Sequence, residues 1–320
     1  MSKIPASVFI LISLCLLLPG CDSETESAST ENGPPTVALI MKSLANEFFV
    51  NMASGAKQHQ ADNFDRYELI VNGIKDESDL AQQVILVEQM IARGVDAIVI
   101  APADSKALVP VLKRARQAGL IVINIDNKLD AAILLQSDIS IPFVGPDNRE
   151  GARVVARHLA TDLQAGDHVA IIGGISTAFN AQQRQLGFED VMQDAGMNIV
   201  SVQSGEWQQV KASTIAAALI IEHPALKAIL CSNDNMAIGA IAAIKRAGKS
   251  GEIQVVGFDN IPASHDLLRN GSLLATADQY GSQLAIFGIE YALDILVNNR
   301  VTADKKTPVD LVTAASLVSP

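Results

Sequence analysis

The sequence predicts an α/β protein built from two similar parallel-sheet lobes. Three observations carry this expectation. Short runs rich in Val and Ile are continuously apolar rather than alternating, which marks strands covered on both faces. They alternate with amphipathic segments of helical length, the pattern of parallel strands joined by right-handed crossovers. The whole series then occurs a second time.

In the first series, Val37–Met41 reads as a strand, followed by a helix from about Glu47 to Ala61. Tyr67–Val71 is the next strand, with a helix from about Ser78 to Ala92 that Gly94 stops by offering a left-handed position. Ala97–Ala101 and Leu120–Ile125 are strands that flank a helix from about Ser105 to Ala118. The second series opens at Val169–Ile172 and continues with a helix from about Ala181 to Ala195 and a strand at Ile199–Val202. A helix ending near Glu222, a strand at Ala228–Cys231 and a helix from about Asn235 to Ala247 follow. Val255–Phe258 and Leu273–Thr276 read as later strands. Periodicity alone does not assign the last helix, Leu284–Asn298, or the strand near Val309–Val312 to either lobe.

The front of the chain is of a different kind. A basic start at Lys3 leads into an apolar run from Ile4 to Leu18, the size of a secretory h-region and short for a transmembrane helix. It ends in Leu18, Pro19, Gly20 and Cys21, which resembles the lipobox of bacterial lipoproteins. Residues 1–20 are therefore expected to be a signal peptide, with Cys21 as the lipidated residue. The acidic, polar stretch 21–35 has too little apolar surface to fold and reads as a disordered tether.

Composition excludes several classes. The formal net charge of the 320 residues is -11, with no basic cluster, so no nucleic-acid partner is expected. Of the cysteines Cys15, Cys21 and Cys231, only Cys231 stays free after processing, which leaves no intramolecular disulfide. The histidines His59, His158, His168, His223 and His265 are scattered without ligand spacing, so neither a metal nor a cofactor is expected.

Eight words of sequence carry a more specific resemblance. They are MKSLANEFF (41–49), NIDNKLD (124–130), VGPDN (144–148), QRQLGF (183–188), GEW (205–207), CSNDNMAIGA (231–240), VVGFDNIP (255–262) and LLATADQY (273–280). In this order the chain resembles the type I periplasmic binding proteins of ABC sugar importers, the ribose/allose-binding group, from Thr36 to about Val318. The resemblance implies two Rossmann-like lobes joined by a three-crossover hinge. The N-terminal lobe would be 36–145 and 279–307, and the C-terminal lobe 146–278 and 308–320. The crossovers would fall near Phe143–Asn148, Ala277–Gln279 and Lys306–Pro308.

A sugar ring has apolar faces and a rim of hydroxyls, so a site for it stacks aromatics and ranges carboxylates, amides and guanidinium groups around the edge. Candidates on the first loop are Lys42, Asn46, Phe48 and Phe49, with Glu47 read as a structural residue favourable to the helix dipole. The resemblance implies that Trp207, the lone tryptophan, covers the opposite face. The resemblance adds Asp126, Asn233, Asp259 and Gln279 as hydroxyl-binding positions. Asn127 stands where ribose binders have Arg, which implies a hexose or polyol in preference to ribose. Either Arg184 or Gln182 is expected to reach the ligand, and the alignment leaves both open.

Enzyme readings fail on specifics. There is no G-x-S-x-G elbow, no Walker A motif and no G-x-G-x-x-G. The resemblance implies a monomeric, lipid-anchored protein at the periplasmic or extracytoplasmic face of the cell membrane. It would capture a monosaccharide or polyol and pass it to an ABC permease. The competing reading is a sugar or autoinducer receptor that shows its closed form to a chemoreceptor or sensor kinase.

Overall fold

The computed structural model describes residues 33–298 and 303–317. The expected signal peptide, Cys21 and the expected tether up to residue 32 lie outside these residues. No helix among the described residues is long and apolar enough to cross a membrane.

The first lobe opens with β1 (Thr36–Ser43), α1 (Glu47–Asp62), β2 (Glu68–Ile74), α2 (Leu80–Arg93), β3 (Ala97–Ile100) and α3 (Val109–Gln117). It continues with β4 (Ile121–Ile125), a short α4 (Ala131–Gln136) and β5 (Phe143–Pro146). The second lobe holds α5 (Asn148–Ala160), β6 (His168–Gly173), α6 (Phe179–Asp194), β7 (Asn198–Ser204) and α7 (Gln209–Glu222). Then come β8 (Leu226–Cys231), α8 (Asp234–Arg246), β9 (Gln254–Val256), α9 (Pro262–Arg269) and β10 (Ala275–Asp278). The chain ends with α10 (Gly281–Asn298), β11 (Lys305–Thr307) and β12 (Asp310–Thr313).

The strands form two six-stranded sheets, ordered β11-β5-β4-β3-β1-β2 and β12-β10-β9-β8-β6-β7. Every pairing is parallel except β10 with β12. Side-chain alternation explains why the apolar runs are continuous. In β1, Val37, Leu39 and Met41 enter one core while Ala38 and Ile40 enter the core on the opposite face. In β6, Ala170 and Ile172 divide from Val169 and Ile171 in the same way. Each sheet is thus sandwiched between helices and exposes neither face.

The chain passes between lobes three times. It leaves the first sheet after β5 for α5, which packs on α6. It returns from β10 into α10, which packs on α1, β3 and β4. It crosses last between β11 of the first sheet and β12 of the second. This assigns the two elements that periodicity left unplaced.

Local chemistry sets several element ends. Gly94 closes α2 at φ +69° and returns its N–H to Met90 and Ile91 carbonyls. The helix expected from Ser105 begins only at Val109, because the Asp104 carboxylate holds the N–H groups of Lys106 and Ala107, each at 2.7 Å, in a turn. Helix α5 is an addition to the sequence reading. Asp147 caps it and Ala152, Val155, Ala156 and Leu159 form its buried stripe, a 3–4 spacing present in the sequence.

Candidate functional site

A tightly closed cavity lies between the lobes, its free space about 10 Å³, on the scale of a single water. The first lobe supplies Lys42, Asn46, Phe48, Phe49, Glu77 and Asp126 to its wall. The second supplies Asn180, Arg184, Trp207, Asn233 and Asp259, and Gln279 comes from the connection between them. These positions lie at the carboxyl ends of parallel strands or at the starts of the helices that follow, where parallel sheets bind ligands.

The first-lobe wall is a charged cluster. Lys42 sits at the end of β1 with its side chain only 2% exposed. Its ammonium is 2.9 Å from Asp126 Oδ2 and 3.7 Å from Glu77 Oε2. Burial works against the ammonium, but Asp126 and Glu77 outweigh it and hold its pKa above the usual lysine value. Burial raises the pKa of Glu77 against the pull of Lys42. Asn46 caps α1 by accepting from Phe48 N–H at 3.0 Å, so its placement is a by-product of helix initiation. Phe48 and Phe49 meet edge to face with centroids 5.1 Å apart.

The second-lobe wall is organised by Arg184. Its Nε donates to Asn148 Oδ1 at 2.8 Å, and its Nη1 donates to the Ser232 carbonyl at 2.9 Å and to Asp259 Oδ1 at 3.2 Å. The guanidinium stacks 3.7 Å from the Phe258 ring centroid and faces Trp207 at 5.6 Å. Gln279 Nε2 donates to the same Asp259 oxygen at 2.7 Å. Burial still dominates and pushes Asp259 up to about 8. Asn233 caps α8 through Met236 N–H at 2.9 Å while also lining the cavity. Asp234 beside it accepts from Ile261 N–H at 3.0 Å and Thr276 Oγ1 at 2.7 Å, which ties the turn carrying Asp259 to β10.

Two features make this cavity the candidate binding site. Glu77 Oε2, Arg184 Nη2, Trp207 Nε1 and Gln279 Oε1 are buried without a hydrogen-bond partner among the described residues. His168, Ser232, Gln254 and Thr307 also carry such atoms, but only here do several converge on one cavity, where they could bond a solute. Asp126, Trp207 and Asp259 adopt φ of +61°, +64° and +114°. Such backbone is costly for residues other than Gly and gathers at functional sites.

The structure departs from expectation at two residues. Asn127 does not line the cavity: its Nδ2 donates to the Pro102 carbonyl at 2.9 Å, and its Oδ1 accepts from Ser105 Oγ and Asn180 N–H. Gln182 is exposed and turns back to the Ser176 carbonyl at 2.8 Å, so Arg184 is the residue of that pair that reaches the cavity. Glu77 and Asn180 were missed by sequence reasoning. A carboxylate in a strand-to-helix loop is common, and no spacing singles out Glu77. Asn180 lies one helical turn before Arg184 and could have been paired with it.

Two α/β lobes closed over a buried cavity of carboxylates, amides, guanidinium and aromatic rings define a two-lobed solute-binding protein. The chain belongs to the periplasmic binding protein family: residues 37–300 match the model of the periplasmic binding protein domain. It is 55% identical over 284 residues to the D-ribose/D-allose-binding protein of Pseudomonas aeruginosa, covering 88% of this chain and 89% of that protein. It is 31% identical to the ribose import binding protein of Escherichia coli, over 86% of this chain and 89% of that one. Among solved structures, an ABC transporter solute-binding protein from Burkholderia multivorans, with an unknown ligand represented as α-D-erythrofuranose, is 57% identical. It superposes with a TM-score of 0.86 over 88% of this chain and 100% of that one. A periplasmic solute-binding protein from Actinobacillus succinogenes with bound D-allose is 33% identical, with a TM-score of 0.84 over 88% of this chain and 98% of that one. These homologues are sugar-binding transport proteins, and periplasmic binding proteins of ABC importers are periplasmic.

Proposed function

We propose that this chain captures a neutral monosaccharide or polyol between its lobes and delivers it to an ABC permease, held at the membrane by a lipid on Cys21. The observation that carries the ligand class is the cavity wall itself. It buries two cations, Lys42 and Arg184, with three carboxylates, Glu77, Asp126 and Asp259. An anionic ligand would have to compete with Asp126 and Glu77 for Lys42, and would find only Arg184 Nη2 unengaged. A neutral polyol donates hydroxyls to the carboxylates and accepts from Arg184, Asn233 and Lys42. Phe48, Phe49 and Trp207 cover its apolar faces. A ligand that touches both lobes favours the closed arrangement, which the permease would recognise.

Asn127 does not reach the cavity, so Asn in place of Arg there does not disfavour ribose. The Pseudomonas relative is named for both D-ribose and D-allose. These two sugars share the configuration of their C2, C3 and C4 hydroxyls and differ by one carbinol group. The proposed ligand is therefore an aldose of that configuration. Calorimetry against D-ribose, D-allose, their C3 epimers D-xylose and D-glucose, and ribose 5-phosphate tests it. Ribose or allose should bind at least tenfold more tightly than either epimer, one hydroxyl pair to a charged group contributing roughly 1.5–3 kcal/mol. Tightest binding of an epimer or of the phosphate refutes the ligand class.

A further inference from the structure

Two helices of the second lobe are capped by the first. Helices α6 and α9 have no side-chain cap from their own N-cap residues, Ala178 and Ile261, whereas α5 and α8 are capped by Asp147 and Asn233. The first N–H groups of a helix have no partner within it and need an acceptor from elsewhere. For α6 the acceptors cross the cleft: Phe179 N–H donates to Ser105 Oγ at 3.0 Å and Asn180 N–H to Asn127 Oδ1 at 3.2 Å. For α9, Ala263 N–H donates to Glu47 Oε2 at 3.2 Å. Helix α7, whose N-cap Gln208 also makes no cap bond, receives no such partner among the described residues.

The acceptors are held ready within the first lobe. Ser105 Oγ donates to Asn127 Oδ1 at 3.3 Å, and Asn127 Nδ2 is fixed on the Pro102 carbonyl at 2.9 Å. The Ser105 carbonyl in turn accepts from Asp130 N–H at 2.8 Å. Glu47 is a carboxylate placed at a helix start, where the dipole of α9 strengthens its bond to Ala263. The donors lead directly into the cavity. Asn180 lines it and Arg184 follows one turn later on the same helix.

We propose that Ser105, Asn127 and Glu47 are positioning residues that latch the closed lobes by capping α6 and α9 across the cleft. A hinge motion that parts the lobes breaks these three bonds and returns the helix ends to water. The latch therefore stabilises only the closed arrangement, and it fixes the helix that carries Arg184 while the lobes are shut. It rests on the reading of this chain as a binding protein that closes on its ligand.

The test is stopped-flow dissociation of D-allose, read by Trp207 fluorescence, in Ser105→Ala, Glu47→Ala and the double variant. Each single variant should dissociate roughly fivefold faster, the usual effect of losing one helix cap, and the double variant by roughly the product. Association should stay within twofold, since the open lobes do not use these contacts. Ser105→Thr and Glu47→Gln keep an acceptor and should restore near-native rates. Small-angle scattering of the ligand-free chain reads the latch without any sugar: the Ala variants should shift to a larger radius of gyration. Dissociation within twofold of the native rate, together with an unchanged radius, overturns the latch. So does an equal rate increase in Ser105→Thr and Glu47→Gln, which would assign the effect to packing instead of capping.

Discussion

Replacing Arg184 with Met keeps an unbranched side chain on α6 and removes the guanidinium together with its stacking on Phe258. The structure sets the size of the effect. The Ser232 carbonyl and Asn148 Oδ1 lose their donors, at about 1–3 kcal/mol each, so the ligand-free protein should lose roughly 2–6 kcal/mol at pH 6. Asp259 adds a pH-dependent part. Burial already raises it to about 8 with Arg184 beside it, and removing that cation raises it further. At pH 6 the carboxyl is protonated with or without Arg184. At pH 9 the native protein ionises it and the variant does not, which widens the stability gap by about 1 kcal/mol. Sugar affinity should fall by roughly 10- to 150-fold through loss of one charge-assisted bond. Thermal melts at pH 6 and 9 with calorimetry at both values read all three effects. The double variant Arg184→Met/Asp259→Asn should abolish the pH-dependent part and leave affinity low. A stability gap that does not grow with pH, or an affinity within threefold of native, would refute the reasoning.

The same carboxyl makes the native protein pH-sensitive. Because burial raises Asp259 to about 8 and Asp234 to about 7, the folded chain holds protons that the unfolded chain releases near the ordinary carboxylate value. Their contribution to ligand-free stability is thus full below that value and lost as pH rises through 7 to 8, so the melting temperature should fall between pH 5 and 9. Sugar hydroxyls bond the ionised carboxylate, so affinity should instead rise from pH 6 to 9 with proton release. Calorimetry in two buffers of different ionisation heat checks this, and Asp259→Asn should remove it. A Cβ on Gly174 would come within 2.1 Å of the Trp207 ring, so Gly174→Ala should displace the indole, change its emission and weaken sugar binding by about tenfold; an unchanged spectrum and affinity would count against Trp207 as a wall of the cavity. Cys21→Ala should move the protein from the membrane to the soluble fraction at unchanged sugar affinity, since acyl chains supply about 0.8 kcal/mol per buried methylene; fractionation and a binding isotherm on the released protein decide it.

Much of this molecule is written locally. Strands buried on both faces show as unbroken Val and Ile runs, and Gly94 marks a left-handed helix end because a side chain there is strained. Asp126, Asp259 and Trp207 were picked out by the family resemblance of the words that hold them, which agrees with their places after strands, at the end of the sheet where ligands bind. What the tertiary structure alone decided is which side chains turn inward. Gln182 and Arg184 are two residues apart on α6, about 200° around the helix axis, so only one of them can face the cavity. The packing of α6 against α5 and β6 chose Arg184. Asn127 follows Asp126 directly, yet Asp126 at φ +61° reverses the chain, so one carboxylate enters the cavity and the neighbouring amide turns to Pro102 and to the start of α6. Glu77 became part of the wall only when its loop met Lys42 from another strand. These choices depend on contacts between residues far apart in sequence, and no local period or turn preference encodes them.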